Sequence, residues 1–379
     1  MIIGLPLYFI KKGRVGGAEH MSYNVVRGLL ASGHDVIIAC SSCLDLDDAF
    51  VLEVKDNAKC EFLITKKSIS RFISEIKASM LLSRKCDGVI YPNYFTPPTV
   101  LLGRAKIITV IHDLQYIHFP KYFPLKKRLW LRLTHYFTLL LADDVVAISN
   151  FVKKDMIKCY GKWCEKKITV IHNPISWDRF DSDENLMVAI ERPYILSVAA
   201  DYPHKNLKTI LDVFETIYHL YPELSLVLVG QLSEQVAGHI NKKSPLTNYI
   251  KTLKSKDRIV ITGYLNDKTL GELYRSAKVF LFPSLFEGFG MPPVEALGFG
   301  KPVITSECTA IKETTLGYAS KYIKEPTNVQ EWNDAIKKVL DFSAPNITDE
   351  QQLELKQAYL PNYIAKKYVQ VFLNQNDNV

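Results

Sequence analysis

Glu287-Gly-Phe-Gly-Met-Pro-Pro-Val-Glu295 is the stretch on which the reading of this chain turns. The apolar run Val279–Phe282 leads into it. Ala296-Leu-Gly298 and then Lys301-Pro-Val-Ile-Thr305 lead out. Pro292 and Pro293 suit the first turn of a helix, where a missing N–H costs nothing. The pattern is therefore strand, glycine-rich loop, helix. Glycines let backbone N–H groups come close to a ligand, and a helix N-terminus favours anionic oxygens. Ionised carboxylates only accept hydrogen bonds, so Glu287 and Glu295 suit vicinal hydroxyls. Amides for phosphate beside carboxylates for diols fit a sugar nucleotide.

Outward from this stretch, strand-like runs alternate with amphipathic helices. In the first half the strands are Ile2–Leu7, Val36–Ala39, Gly88–Tyr91, Lys106–Ile111, Asp144–Ile148 and Ile168–Ile171. Helical periodicity marks Glu19–Ala31, Ser68–Leu82, Leu125–Leu141 and Asn150–Tyr160, the last with Ser149 as N-cap and Gly161 as stop. The second half restarts with Tyr194–Val198, a helix Leu207–Tyr221, Leu224–Val229, Ile259–Thr262 and a helix Lys268–Ala277. Continuous Val/Ile runs between helices indicate parallel sheets covered on both faces. The expectation is an α/β chain of two doubly wound, Rossmann-like domains, with ligands in a cleft at the carboxyl ends of the strands. Residues 1–175 form the first domain, the polar stretch 176–192 a linker and 193–355 the second domain. Residues 356–379 end in a helix, Tyr359–Phe372, packing back on the first domain.

At 379 residues, with 47% hydrophobic content and a net charge of +7, the chain fits a soluble protein of two domains. No apolar run reaches the roughly 20 residues that span a bilayer. Met1-Ile-Ile-Gly-Leu-Pro6 lacks a basic lead-in and suits a first strand, so a cytoplasmic location is expected. Residues 1–180 hold 26 Lys and Arg against 16 Asp and Glu; the remainder holds 21 against 24. The first half therefore either carries an ordinary solvated charge excess or faces something anionic: nucleic acid, a membrane surface or a phosphorylated substrate. The seven cysteines are an odd, scattered set, and Cys40-Ser-Ser-Cys43 is followed by acidic residues that oppose a reactive thiolate. These are structural thiols.

Further candidates lie in both halves. In Val198-Ala-Ala-Asp-Tyr-Pro-His-Lys-Asn-Leu207, Lys205 follows a strand and opens a helix, a place to meet a departing diphosphate. Gly16-Gly17-Ala18-Glu19 follows the first strand. His112 closes the strand Lys106–Ile111, and Ser149 with Lys153 follows Asp144–Ile148. Asp45-Leu-Asp47 and Asp143-Asp144 suit solvated acids or caps rather than a metal site.

Pro283 to Leu297, with Gly300-Lys-Pro-Val-Ile-Thr-Ser306, resembles the retaining glycosyltransferases of the GT-B fold, family 4, over more than twenty positions. Their mark is two glutamates separated by seven residues, as Glu287 and Glu295 are. The resemblance implies that Glu287 contacts the transferred sugar and Glu295 the ribose, with the amides of Gly288, Phe289, Gly290 and Met291 along sugar and phosphate. It sets Lys205-Asn206 at the diphosphate, Gly16-Gly17 at donor phosphate and acceptor, His112 near the reacting sugar, and Ser149 on the acceptor side. Ala199, Ala200 and Asp201 stand where the family often has an arginine; the substitutes are His204 or another basic residue that reaches over. No metal cofactor is expected. The donor is a nucleoside-diphosphate sugar, GDP-mannose first by resemblance to lipopolysaccharide mannosyltransferases. The acceptor is a saccharide or a polyprenyl-diphosphate-linked saccharide, and nucleic acid is not a partner. The alternatives are a UDP-sugar epimerase of the same fold and a non-catalytic nucleotide- or nucleic-acid-binding protein.

Lys121-Tyr-Phe-Pro-Leu-Lys-Lys-Arg-Leu-Trp-Leu-Arg-Leu-Thr-His-Tyr-Phe137 mixes cations with aromatics. It suits a core helix with a basic solvated face, a nucleic-acid stacking surface, or a helix on an anionic membrane surface.

Overall fold

Alternation of apolar strands with helices produces two separate parallel sheets. The computed structural model describes residues 1–11, 16–65, 71–181, 190, 193–230, 233–236, 239–243, 245–342 and 347–374. Most of the 176–192 stretch, and Ser68 at the expected start of a helix, lie outside these. The chain divides into one unit of Met1–Ser176 with Ala358–Val379 and a second of Trp177–Gln357. Trp177–Asp181, which the sequence placed in a linker, belongs to the second unit.

In the first unit the strands are β1 (Ile2–Pro6), β2 (Asp35–Cys40), β3 (Cys60–Ile64), β4 (Gly88–Tyr91), β5 (Lys106–Ile111), β6 (Asp144–Ala147) and β7 (Ile168–Val170). They form one parallel sheet in the order β3-β2-β1-β4-β5-β6-β7. The order reverses between β1 and β4, the switch point where doubly wound sheets bind ligands. Helices α1 (Gly17–Ala31), α2 (Asp48–Val54), α3 (Arg71–Lys85), α4 (Gln115–His118), α5 (Leu125–Leu141) and α6 (Asn150–Tyr160) connect the strands. The β3 strand escaped the sequence because Cys-Glu-Phe-Leu-Ile sits at a sheet edge, half-buried, and shows no continuous apolar run. The acids of the polar runs have structural work: Asp47 caps α2 at Phe50 N, 3.0 Å, and Asp143 accepts from Ile107 N at 2.7 Å.

The second unit repeats the plan with β8 (Tyr194–Val198), α7 (Leu207–Ile217), β9 (Ser225–Val229) and a separate antiparallel pair, β10 (Ser233–Val236) with β11 (His239–Lys243). It continues with α8 (Pro245–Thr252), β12 (Ile259–Gly263), α9 (Asp267–Ser276), β13 (Val279–Phe282), α10 (Met291–Gly298), β14 (Val303–Ser306), α11 (Ile311–Thr314), β15 (Lys321–Ile323), α12 (Val329–Phe342) and α13 (Asp349–Ala358). The sheet order is β12-β9-β8-β13-β14-β15, all parallel, with the switch between β8 and β13. The α7 and α12 helices cover one face, where Phe214, Ile217, Trp332 and Ile336 close on Leu226, Leu228 and Leu281. Fully buried Trp332 is anchored by its Nε1–H on the Pro326 carbonyl at 3.0 Å.

The last helix, α14 (Pro361–Phe372), is in the first unit and packs along α1. Gly28 makes that approach possible, since a Cβ there would overlap the Pro361 carbonyl oxygen and press on Ala365. Burial likewise governs the cysteines. All seven are free, and burial pushes the Cys40 and Cys86 thiols up to about 12 and Cys60 to about 11. Gly28→Ala is expected to lower stability by about 1–3 kcal/mol through overpacking, read from urea unfolding. An unchanged midpoint would show that α14 does not need this close approach.

Candidate active site

Because β8 and β13 are parallel neighbours, the loops leaving their carboxyl ends meet. The loop after β8 carries Lys205, the loop after β13 carries Glu287, and Nζ lies 2.6 Å from Oε1. Neighbouring hydrogen bonds fix the two loops on each other. Leu285 N donates to the His204 carbonyl at 2.6 Å, and Ser284 Oγ donates to it at 3.1 Å. Asn206, left-handed at φ 53°, donates from Nδ2 to the Pro283 and Pro326 carbonyls, 3.2 Å each, while its Oδ1 accepts from Thr209. Its side chain thus serves the scaffold.

A second layer holds the glycine-rich loop from below. Glu287 N donates to Thr309 Oγ1 at 2.8 Å, and that hydroxyl donates back to the Glu287 carbonyl at 2.8 Å. Thr314 Oγ1 donates to the Phe289 carbonyl at 2.7 Å. Thr309 is β-branched yet sits at φ 49°, a conformation that L residues rarely adopt and that tends to occur where geometry is held for function. Gly290, at φ 83°, makes the turn from loop into α10; Phe289 and Met291 on either side are buried. Neither Thr309 nor Thr314 carries a signal in the sequence, because both act on the loop from beyond β14.

Glu295 lies one turn into α10 and is only 4% exposed. Its Oε1 accepts from Arg179 Nη2 at 2.5 Å and its Oε2 from the Tyr274 hydroxyl at 2.9 Å. Burial pushes the Glu295 carboxyl above its ordinary range, and the Arg179 guanidinium and the Tyr274 hydroxyl oppose that rise. Arg179 also faces Asp267 at 3.8 Å and lies over the Phe180 ring at 4.3 Å. Beneath it Phe180, Tyr274 and Phe299 form an aromatic cluster with centroids 5.2–6.2 Å apart. Trp177 covers Gly298, where a Cβ would run into the indole. Sequence reading missed Arg179 and Tyr274: the first stands in the polar stretch taken as a linker, the second inside an ordinary helix. Each Glu295 oxygen keeps a lone pair for a further hydroxyl donor.

His204 is buried beside Lys205 and stacks on Tyr202 at 5.6 Å. Burial first, and then the Lys205 charge, bring its pKa down to about 4. The ring is therefore neutral near pH 7, so it does not replace an arginine's charge. In the first unit, His112 stands at the end of β5 with Nε2 2.8 Å from the Pro92 carbonyl, and burial lowers its pKa. Gly16 and Gly17 are exposed at the start of α1, where Gly16 N donates to Glu19 Oε2 at 3.0 Å. Ser149 is fully buried, and its Oγ accepts from Val152 N at 3.2 Å as the cap of α6. Among the described residues, no group of three or more His, Cys, Asp or Glu side chains is arranged to hold a metal ion.

Two parallel sheets with this strand order, and paired loops at the switch point of the second, define an α/β protein of two Rossmann-like domains in the GT-B manner. Residues 178–354 match the family of glycosyl transferases group 1, and residues 15–179 match glycosyltransferase family 4. The chain belongs to these glycosyltransferases. It is 28% identical over 244 residues to the O-antigen chain mannosyltransferase RfbU of Salmonella typhimurium, a match over 64% of this chain and 63% of that protein, less than two thirds of the relative. Anabaena HepE, solved in complex with UDP-glucose, has a TM-score of 0.76 and 16% identity, covering 99% of this chain and all of that one. Sucrose-phosphate synthase from Thermosynechococcus elongatus has a TM-score of 0.78 and 16% identity over 99% of both chains. At such identity the likeness to these two structures is one of fold.

Two expectations follow from this geometry. Tyr274→Phe removes one support of Glu295, and Arg179→Met leaves a buried carboxylate without its cation; the expected cost is about 1 and 3 kcal/mol respectively. Urea unfolding checks this, and equal, negligible losses would remove the pair's assigned role. His135, buried on α5 with its pKa also near 4, joins His204 in the second expectation. Both take up protons more readily when unfolded. Stability is therefore complete above pH 6.5 and falls toward about pH 4, by on the order of 3 kcal/mol for each. His204→Gln and His135→Gln should each flatten part of that slope; an unaltered slope in both variants would refute the assignment.

Proposed function

We propose that this chain transfers a hexosyl group, mannosyl first, from a nucleoside-diphosphate sugar to a hydroxyl with retention of anomeric configuration, in cell-surface polysaccharide synthesis. The observation that carries the reading is the Lys205–Glu287 pair at the switch point of the second unit, 2.6 Å apart, in a family-4 chain. Lys205 takes the diphosphate and stabilises the charge it gains as the glycosidic bond breaks. Glu287 then accepts from hydroxyls of the sugar. The amides of Gly288 to Met291 line sugar and phosphate. Glu295, held by Arg179 and Tyr274, accepts from the ribose hydroxyls. The acceptor oxygen attacks from the face that the diphosphate leaves, and its proton passes to the departing phosphate oxygen. No metal enters this scheme.

The first unit presents the acceptor, a saccharide or a polyprenyl-diphosphate-linked saccharide, beside Gly16, Gly17 and His112. GDP-mannose is the first donor candidate, supported by the similarity to an O-antigen mannosyltransferase. The enzyme works in the cytoplasm, peripherally on the inner face of the membrane. Among the described residues no helix is long and apolar enough to cross a membrane.

Thermal-shift measurements with UDP, GDP and TDP identify the base, because the ligand that binds the native state raises its melting temperature. GDP is expected to give the largest shift. Lys205→Ala and Glu287→Gln should each lower transfer at least about 100-fold while retaining the wild-type fold by circular dichroism. Wild-type transfer in either variant would refute the site. Donor turnover that needs no acceptor would mark an isomerase instead.

A further inference from the structure

The glycine-rich loop is held by its carbonyls, and a single segment of chain supplies the donors. Residues 306–314, which leave β14 and form α11, send side chains to three of those carbonyls. Cys308 Sγ donates to the Ser284 carbonyl at 2.9 Å, beside Ser306 Oγ on the same oxygen. Burial pushes the Cys308 thiol up to about 11, so it keeps the proton that it donates. Thr309 Oγ1 donates to the Glu287 carbonyl at 2.8 Å, and Thr314 Oγ1 to the Phe289 carbonyl at 2.7 Å. Glu287 N donates back to Thr309 Oγ1 at 2.8 Å, so one hydroxyl takes both backbone groups of that residue. Ser306 and Thr314 are fully buried.

Those bonds fix more than the carbonyls. A trans peptide unit is planar, and its C=O and N–H point in opposite directions. With the Glu287 carbonyl turned to Thr309, the N–H of Gly288 is turned away from that hydroxyl. With the Phe289 carbonyl turned to Thr314, the N–H of Gly290 is likewise turned away. Two amides, each on a residue without a side chain, are thus aimed off the 306–314 segment. N–H groups fixed in this way suit an anionic oxygen, because they need not reorient as its charge grows. The backbone of Thr309 fits the same purpose. A glycine would adopt its φ of 49° freely but would bring no hydroxyl. We propose that Thr309 and Thr314 are positioning residues, whose hydroxyls aim the Gly288 and Gly290 amides at the diphosphate and sugar of the donor. Each acts through a peptide unit rather than on the reacting atoms. The proposal rests on the reading that this loop lines the donor, and adds which side chains set the direction of its amides.

Two measurements on the full chain test it, with whichever of UDP, GDP and TDP gives the largest thermal shift. In the wild-type chain carrying isotope-labelled glycine, saturation with that nucleotide should move the Gly288 and Gly290 amide proton resonances downfield. Unmoved resonances would overturn the proposal without any variant. Titration calorimetry then compares variants at a temperature where circular dichroism shows each one folded. Thr309→Gly removes the hydroxyl and relieves the left-handed backbone, and Thr314→Val removes a hydroxyl at constant shape. Each should raise the Kd of the nucleotide about tenfold, while Thr309→Ser and Thr314→Ser, which keep the hydroxyl, stay within about threefold of wild type. A merely structural role would lower melting temperatures and leave the Kd of the folded variants unchanged. That result, or serine variants that bind no better than Thr309→Gly and Thr314→Val, would also overturn the proposal. Neither measurement needs an acceptor or turnover. A failed transferase reading would therefore leave the amide shifts and affinities as expected, whereas a failed positioning role would not.

Discussion

The ion pair between Lys205 and Glu287 is the contact that joins the two loops at the switch point of the second unit. The residues are 82 positions apart in sequence, yet their charged atoms lie 2.6 Å apart. Sheet order causes this: β8 and β13 are adjacent and parallel, so both carboxyl ends open on the same side. Each charge is largely withdrawn from water and would be costly alone. Paired, they let the loops approach until backbone groups interlock through the His204 carbonyl. Thr309 and Thr314 then hold the glycine-rich loop against β14's outgoing chain. The strained backbone of Thr309 is tolerable because its hydroxyl makes two good hydrogen bonds at once.

Glu295 meets the same problem more severely. At 4% exposure a carboxylate must be neutralised, protonated or hydrogen-bonded on every side that water has left. Here a guanidinium and a phenol supply the donors, and an aromatic floor fixes both of them. That floor explains why Trp177–Asp181 folds with the second unit. A flexible connection at those residues would leave Arg179 free to swing away, and Glu295 would lose its counter-charge.

Legibility in the sequence follows the range of the interaction. The fold was readable because parallel sheets need continuous apolar strands, and the glutamate loop because its parts are consecutive. The half-polar edge strand β3 gave no such run. Arg179, Tyr274, Thr309 and Thr314 act across 21 to 116 residues of chain, and nothing local separates them from other polar side chains. The neutrality of His204 is equally non-local: its position beside Lys205 suggested a second cation, but burial decides its protonation. For α5 the sequence showed cations among aromatics and left the core, nucleic-acid and membrane readings open. Only the fold separates an inward apolar stripe, with Leu131 and Leu139 buried, from an outward one, with Leu129 and Leu133 exposed.

Under the proposed reaction, the empty site and the loaded site need opposite things of the same two charges. Without donor, an isolated ammonium and an isolated carboxylate would both be poorly solvated, and the pair resolves that. With donor, the diphosphate is the stronger partner for Lys205, because two phosphate groups carry more charge than one carboxylate. Glu287, released, turns its oxygens to sugar hydroxyls that water would otherwise satisfy. The exchange trades one ion pair for another and adds neutral hydrogen bonds, so the approach of a dianion to a carboxylate carries no large electrostatic barrier. A second cation beside Lys205 would likewise stabilise the charge gained by the leaving group; with His204 neutral, the proposed scheme uses Lys205 for that purpose. A neutral His204 is consistent with a site that concentrates its positive charge in one flexible side chain.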